Sequence, residues 1–421
     1  MPTGWLQRFS RWLTPRRMAI QAAALAVCLW SGYAWNMATP GVLDRMGQPK
    51  GCDFLHLYTV GTLAQSGRGD LLYDLPAQAA LIQKMVPGAG AVIFVPLYGP
   101  QVAMFFAPWS RLPYAWAVTL WMLLNAVLYA LCCGVVWREC PNLRRHAGKV
   151  AWVACAFPGL FSLLAWGQTA GVALALFTAT WLALRSRLFF FAGLFLGSLV
   201  FKPQLALAAA FVFLLAWEWE VIAGALLAAT AQMAVAWVHF GTAVMADYGR
   251  HLMQVRGIWP LLEPKPYATH SLRTFWAMLL PWPGAAFGLY VVTALVVLIA
   301  ALLCWRSAAP LALKFAVLMT ATVLTAPHLG IYDLVILAPP FLLLADWMAE
   351  QPGSPSTDAI RVFLYLSCVL PLLAPLARMT HVQLSVLALA GLHLVLWQTI
   401  RQMGSLNSGT VSPREGATAG G

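Results

Sequence analysis

Residues 188–217 read LFFFAGLFLGSLV, then Phe201-Lys202-Pro203-Gln204, then LALAAAFVFLLAW. Each apolar half falls short of the about 20 residues that a bilayer-crossing helix requires. A lysine stands between the halves, and Pro203 opens the second, where proline suits the first turn of a helix. The stretch reads as a membrane helix broken in its middle. Backbone N–H groups freed at the break, beside a cation, make a ready phosphate site. Lys202 and Gln204 are therefore candidate phosphate-binding residues, although a lysine snorkelling to the membrane surface also accounts for Lys202.

The rest of the chain repeats the apolar pattern. Hydrophobic residues make up 61% of the 421, and mean hydropathy is +0.75. That balance excludes an ordinary soluble domain, and no alternating ten-residue strand pattern suggests an outer-membrane barrel. Further apolar spans fall near 18–35, 113–137, 150–166, 169–185, 219–240, 285–304, 310–326, 360–377 and 382–400. Counted with the two halves of the broken stretch and a span beginning near Asp333, they predict an all-α polytopic membrane protein of about twelve spans. The net charge of +12 does not indicate nucleic acid. Basic residues cluster in short stretches between spans, as at Arg138, Arg144, Arg145 and Lys149, which is how loops are held on the cytoplasmic side. The eight cysteines show no CxxC pair and no spacing with histidine that suits zinc. Nothing in the pattern calls for a metal or other cofactor.

Organisation follows from these spans. A basic segment, 1–17, precedes a core at 18–348; a polar linker, 349–359, leads to C-terminal helices at 360–400 and a small-residue tail, 401–421, expected to be disordered. The long loop 36–90 carries two helical patterns, one at Phe54, Leu57, Tyr58 and Gly61, the other at Leu75, Ala79, Ile82 and Val86. Both are expected to be amphipathic helices in the membrane interface. Residues 91–110, interrupted by Pro96, Gly99, Pro100 and Pro108, are expected to be bent or re-entrant rather than crossing.

Asp53 is the chemically loaded residue of the first loop. Only 14 Asp and Glu occur in the chain, and this one stands just past a span, in Gly51-Cys52-Asp53-Phe54-Leu55-His56-Leu57-Tyr58. It is a candidate general base, and equally an N-cap for the helix that follows; Asp74 before Pro76 fits a cap in the same way. A second outer loop is expected at 241–283, rich in basic and aromatic residues, among them Arg256, His270 and Arg273. Such residues recognise phosphate or sugar, or are drawn to anionic headgroups. Further on, His328 falls at the outer end of a span and Asp333 inside the start of the next; ionisable groups there are functional candidates.

Taken together and in order, these pieces resemble glycosyltransferase family 87, polyprenol-phosphate-dependent enzymes of the GT-C class. The resemblance is carried by Asp53-Phe54 with Tyr58 and Gly61, Leu72-Tyr73-Asp74, and the prolines at 96, 100, 108 and 113. Gly167-Gln168, Lys202-Pro203-Gln204, His270-Ser271-Leu272 and Ala326-Pro327 through Tyr332-Asp333-Leu334 continue it. The chain departs from the family at Val95-Pro96-Leu97, where Tyr-Pro-Pro is more usual, and at His270-Ser271-Leu272. The resemblance implies a GT-C-like bundle in a bacterial inner membrane, with its active site facing the periplasm or cell exterior. It implies transfer of a sugar, a hexose such as mannose, from a polyprenyl-phosphate donor to a hydroxyl of a glycolipid, glycan or protein acceptor. Asp53 would be the base. Lys202, Gln204, Arg256 and Arg273 would meet the donor phosphate, and His56, Tyr58, Gln168, His270, His328 and Asp333 would line the substrate site, with membrane lipids around them and no required cofactor. A transporter or flippase of a lipid-linked sugar would also use broken helices and intramembrane charge, though it predicts similar halves that this chain does not show. A non-catalytic scaffold would tolerate loss of Asp53.

Overall fold

The computed structural model describes residues 4–89, 94–263, 265–351 and 353–409; for 255–262 and 405–409 it describes the backbone alone. Among the described residues there is no strand, only isolated bridges at Leu43–Pro49 and Thr269–Gly330. A short helix, α1 (Gly4–Trp12), precedes the first long one, α2 (Pro15–Met37), which is capped by the Thr14 hydroxyl. The first loop then holds α3 (Cys52–Gln65) and α4 (Leu75–Met85), the latter capped by Asp74 through the Ala77 N–H. Two helices were expected here, but α3 is not amphipathic. Phe54, Leu55, Leu57, Tyr58, Val60 and Leu63 are all buried around its circumference, and it packs on α5 (Pro100–Phe106) and the adjoining 3-10 turn Ala107–Arg111. With seven residues, α5 rises only about 10 Å, so this part of 91–110 does not cross; residues 90–93 lie outside the described set.

The long α6 (Tyr114–Arg138) is followed by one turn, α7 (Pro141–Arg144), and by α8 (Ala147–Cys155) and α9 (Pro158–Trp166), a pair bent by 48°. Next come α10 (Ala170–Arg185), α11 (Phe189–Gly197) and α12 (Leu207–Leu215). The expected break at Lys202 is there: α11 and α12 are nine residues each and are separated by 3-10 turns. The expected outer loop 241–283 is largely helical instead. Helix α13 (Trp219–Leu262) runs through a single kink at Gly241, and α14 (Leu272–Leu279) follows a short turn. One glycine with non-helical dihedrals ends a first helix and turns the chain into a second, and the polar composition beyond it had suggested a loop.

The remainder comprises α15 (Pro283–Trp305), α16 (Leu311–Thr325), a 3-10 turn Ile331–Leu337 continuing into α17 (Ala338–Glu350), α18 (Pro355–Val369), α19 (Ala374–Thr380) and α20 (Leu384–Gly409). Residues 401–409, expected to be disordered, belong to α20; 410–421 lie outside the described residues. Among the described residues seven helices are long and apolar enough to cross a membrane, eight with the bent pair, and three shorter apolar helices accompany them. The chain is thus an all-α polytopic membrane protein; the expected spans 169–185 and 310–326 are single helices of 16 and 15 residues, too short to be counted as crossings, and the expected span 150–166 is bent in two. The main core runs from Tyr129 on α6 to Ile400 on α20, and a second cluster around Phe54, Phe106 and Trp121 seats α3.

Candidate active site

Asp53 lies in the first turn of α3, where free N–H groups favour a carboxylate. It is not the cap. Gly51 occupies that position, and no side chain caps the helix. Gly51 has φ +65°, and Gly167, which ends α9, has φ +68°. The two glycines face each other: a Cβ on Gly167 would stand 3.3 Å from the Gly51 Cα and 2.9 Å from the Phe54 Cβ, while one on Gly51 would strike Val118 at 2.6 Å. Both the left-handed backbone and the close approach require glycine. Trp121 Nε1 donates to the Gly167 carbonyl at 2.8 Å, and the Tyr114 hydroxyl donates to the Lys50 carbonyl at 2.8 Å. The start of α3 and the turn after α9 are thereby locked together.

That lock brings Gln168 to Asp53. Gln168 Nε2 donates to Asp53 Oδ2 at 2.8 Å. Gln168 Oε1 accepts from the Thr169 N–H at 3.1 Å and from the Tyr98 hydroxyl at 3.3 Å. Two donors on the amide oxygen leave only its NH2 for the carboxylate, so the amide orientation is fixed by its surroundings. Asp53 is half-buried, and removal of solvent raises its carboxyl to about 6; the Gln168 bond and then the charges of Lys202 and His328 act in the opposite direction, while Asp333 adds to the rise. The neighbouring Cys52 thiol is pushed up to about 12, chiefly by burial and then by Asp53, which leaves it protonated and unreactive at neutral pH.

Lys202 and Asp333 form an ion pair of 2.7 Å with side chains 5% and 1% exposed. The second Asp333 oxygen accepts from the Gly330 N–H at 3.3 Å, and the Lys202 ammonium sits 5.0 Å from the Tyr332 ring centroid. So buried a pair is held by geometry and by further hydrogen bonds rather than by charge alone. His328 Nδ1 bonds Glu263 Oε1 at 2.9 Å, and Arg273 Nη1 lies 3.6 Å from Glu263 Oε2. The carboxylate at Nδ1 fixes that nitrogen as the N–H donor.

The sequence candidates thus divide. Asp53, Gln168, Lys202, Asp333 and His328 form one group, linked by the bonds above or by charge on Asp53, and Arg273 joins it through Glu263. His56, one helical turn beyond Asp53, is buried against Phe94 and Tyr98 with ring centroids 5.2 and 5.9 Å away. Neither of its ring nitrogens has a partner among the described residues, and burial lowers its pKa to about 4. Tyr58 packs in the cluster beneath α3 and gives its hydroxyl to the Leu112 carbonyl at 2.8 Å. His270 is fully buried and turned to the C-terminal helices: its Nδ1 meets Ser385 Oγ at 2.7 Å, while Gln383 Nε2 donates to the Tyr267 and Thr269 carbonyls at 2.5 and 2.7 Å. Gln204 lies half-buried in the turn Pro203–Leu205 and hydrogen-bonds none of these residues. The Arg256 side chain lies outside the described residues. Sequence reasoning named Tyr332 only as part of the family motif and missed Tyr98 and Glu263. For Glu263 a signal existed, since the scarcity of carboxylates that singled out Asp53 applies equally to it. Among the described residues no three His, Cys, Asp or Glu side chains are grouped to hold a metal ion.

The comparisons with known proteins bear on this arrangement. The model of glycosyltransferase family 87 matches residues 97–329, more than half of the chain. The chain belongs to glycosyltransferase family 87. No curated protein and no solved structure matches it significantly. Membership in this GT-C class family makes the protein a glycosyltransferase, and the matched residues contain Tyr98, Gln168, Lys202, Glu263 and His328. Asp53 and Asp333 lie on either side of the match, and the fold brings them to Gln168 and Lys202 within it.

Proposed function

We propose that this glycosyltransferase moves a hexose such as mannose from a polyprenyl-phosphate donor to an acceptor hydroxyl at the outer face of a bacterial inner membrane, with inversion, and that Asp53 is the general base. The acceptor is a glycolipid, a cell-envelope glycan or a protein. The observation that carries the reading is a carboxylate tethered by Gln168 at one edge of a group that also holds Lys202 and His328. An acceptor oxygen attacks the anomeric carbon, the bond from that carbon to the phosphate oxygen breaks, and the acceptor proton passes to Asp53. A single displacement of this kind inverts the anomeric centre. A base with its pKa near the working pH is well matched to the step. Negative charge gathers on the departing lipid phosphate, where cations stabilise it.

Lys202 and His328 are assigned to that phosphate. The Asp333 carboxylate holds the Lys202 ammonium in place before the donor arrives, and Glu263 orients the His328 ring, with Arg273 beside it. His56 is assigned to a sugar hydroxyl. Buried polar atoms are rarely left without partners, and both of its nitrogens lack one among the described residues; a low pKa keeps the ring neutral, as suits hydrogen bonding to a hydroxyl. The chemistry requires no cofactor.

The test is transfer by purified protein from a panel of polyprenyl-phosphate sugars, comparing wild type with Asp53→Asn. Transfer by wild type alone, from a folded variant, is the expected result. Equal transfer by both proteins would remove Asp53 from the mechanism. Transport of the lipid-linked sugar without transfer would replace the reading by a flippase.

A further inference from the structure

We infer that the N-terminal helix α1 and helix α18 form a binding site for one anionic phospholipid, remote from Asp53. On a helix of 3.6 residues per turn, Trp5, Phe9 and Trp12 of α1 share one side, Arg8 stands at its edge, and Gln7 and Arg11 lie opposite. This is the build of a helix lying in a membrane surface. α1 is also fixed in place. Ser10 Oγ donates to Asp358 Oδ1 at 2.5 Å and accepts from Arg361 Nη1 at 2.9 Å, Phe9 meets Tyr365 edge-on at 6.1 Å between ring centroids, and Leu13 is buried. A shallow, open cleft runs along α1, lined by Trp5, Arg8, Phe9 and Trp12, with Leu366 of α18 on its other side. Its walls are almost wholly apolar, and Trp5 and Trp12 stay exposed.

Charge selects the occupant. No Asp or Glu precedes Asp44, whereas Arg8, Arg11, Arg16 and Arg17 all fall in this segment. The acidic residue that α18 brings, Asp358, is already engaged by Ser10 and Arg361. Arg17 turns back to the Trp12 carbonyl and ring, while Arg8 at the cleft makes no ion pair among the described residues. An acyl chain fits the apolar walls and a phosphodiester fits Arg8, whose guanidinium binds phosphate through paired N–H donors. Unlike a zwitterionic headgroup, an anionic one leaves a net charge for the surrounding arginines to attract.

The experiment uses the full chain, exchanged into nanodiscs of equimolar phosphatidylglycerol and phosphatidylcholine and released into native mass spectrometry. Wild type is expected to retain one phosphatidylglycerol in preference to phosphatidylcholine. Arg8→Gln is expected to lower that preference about tenfold, equivalent to ~1.4 kcal/mol, and Arg11→Gln, which leaves the cleft intact, less than twofold. Trp5→Ala should reduce retention of both lipids. Melting temperatures of the exposed-site variants confirm that they fold. Equal retention of the two lipids by wild type, or equal losses from Arg8→Gln and Arg11→Gln, would overturn the site in favour of a diffuse basic surface.

Discussion

Two histidines of the same protein, His328 and His270, face opposite circumstances. His328 is 27% exposed at its side chain, bonded to a carboxylate, and within reach of the Asp53 charge. His270 is wholly buried, bonded to the neutral hydroxyl of Ser385, and its pKa is lowered to about 3 by burial. The first is surrounded by charges of both signs and retains an open side; the second is closed in by neutral groups. The same side chain meets charge in one region and neutral groups in the other, and its partner, rather than its identity, tells which.

The largest effect should come from the charged region. Asp53→Asn is expected to lower transfer about a thousandfold, within the range for loss of a general base, as measured by kcat/KM with a fixed donor. Its stability should move the other way. The folded protein holds the Asp53 proton up to about pH 6, well above an unfolded aspartate. That contribution is therefore full below the unfolded value and lost as pH rises through about 6. Asp53→Asn should melt no lower than wild type at pH 7.5, and a marked fall would make Asp53 a structural residue.

The comparison of the histidines sharpens next. His328→Gln and Glu263→Gln are each expected to cost about a hundredfold in transfer, the order of one lost charge-stabilising group, with little change in melting temperature. Ser385→Ala leaves the His270 nitrogen without its partner and should cost about 1–3 kcal/mol of stability, measured by chemical denaturation in detergent, while transfer per folded molecule persists. Were Ser385→Ala to abolish transfer in folded protein, the division between the two regions would fail. The smallest effect concerns pH. Wild-type kcat/KM should decline as pH falls through about 6, because the base must be unprotonated. Gln168→Ala removes a bond that stabilises the carboxylate, so this acidic limb should move to higher pH. A limb unchanged in Gln168→Ala would sever Gln168 from the base.

How much of this was legible follows from the range of the interactions. The broken helix at Lys202 could be read locally, because Pro203 and two short apolar runs adjoin it. Asp53 could be noticed for its rarity, but its helix was misread as amphipathic: apolar residues crowd α3 on every side, and only the fold supplies α5 and Trp121 to cover them. The part of α13 beyond Gly241 was hidden because that glycine, which does interrupt the helix, and the polar residues after it read as the start of a loop. The bond from Gln168 to Asp53 spans 115 positions, as does that from His270 to Ser385. No local pattern could distinguish the histidine that faces charge from the one that faces a hydroxyl.

The contact of Gly51 with Gly167 has a consequence for how the enzyme tolerates change. The spacing between Asp53 and Gln168 is set where neither segment has a side chain to trim or exchange. Reactive groups can be substituted conservatively and still leave some residual function, whereas here a single methyl in either place alters a fixed dimension. The least replaceable positions of this site carry no chemistry at all, and a survey confined to polar residues would pass over both.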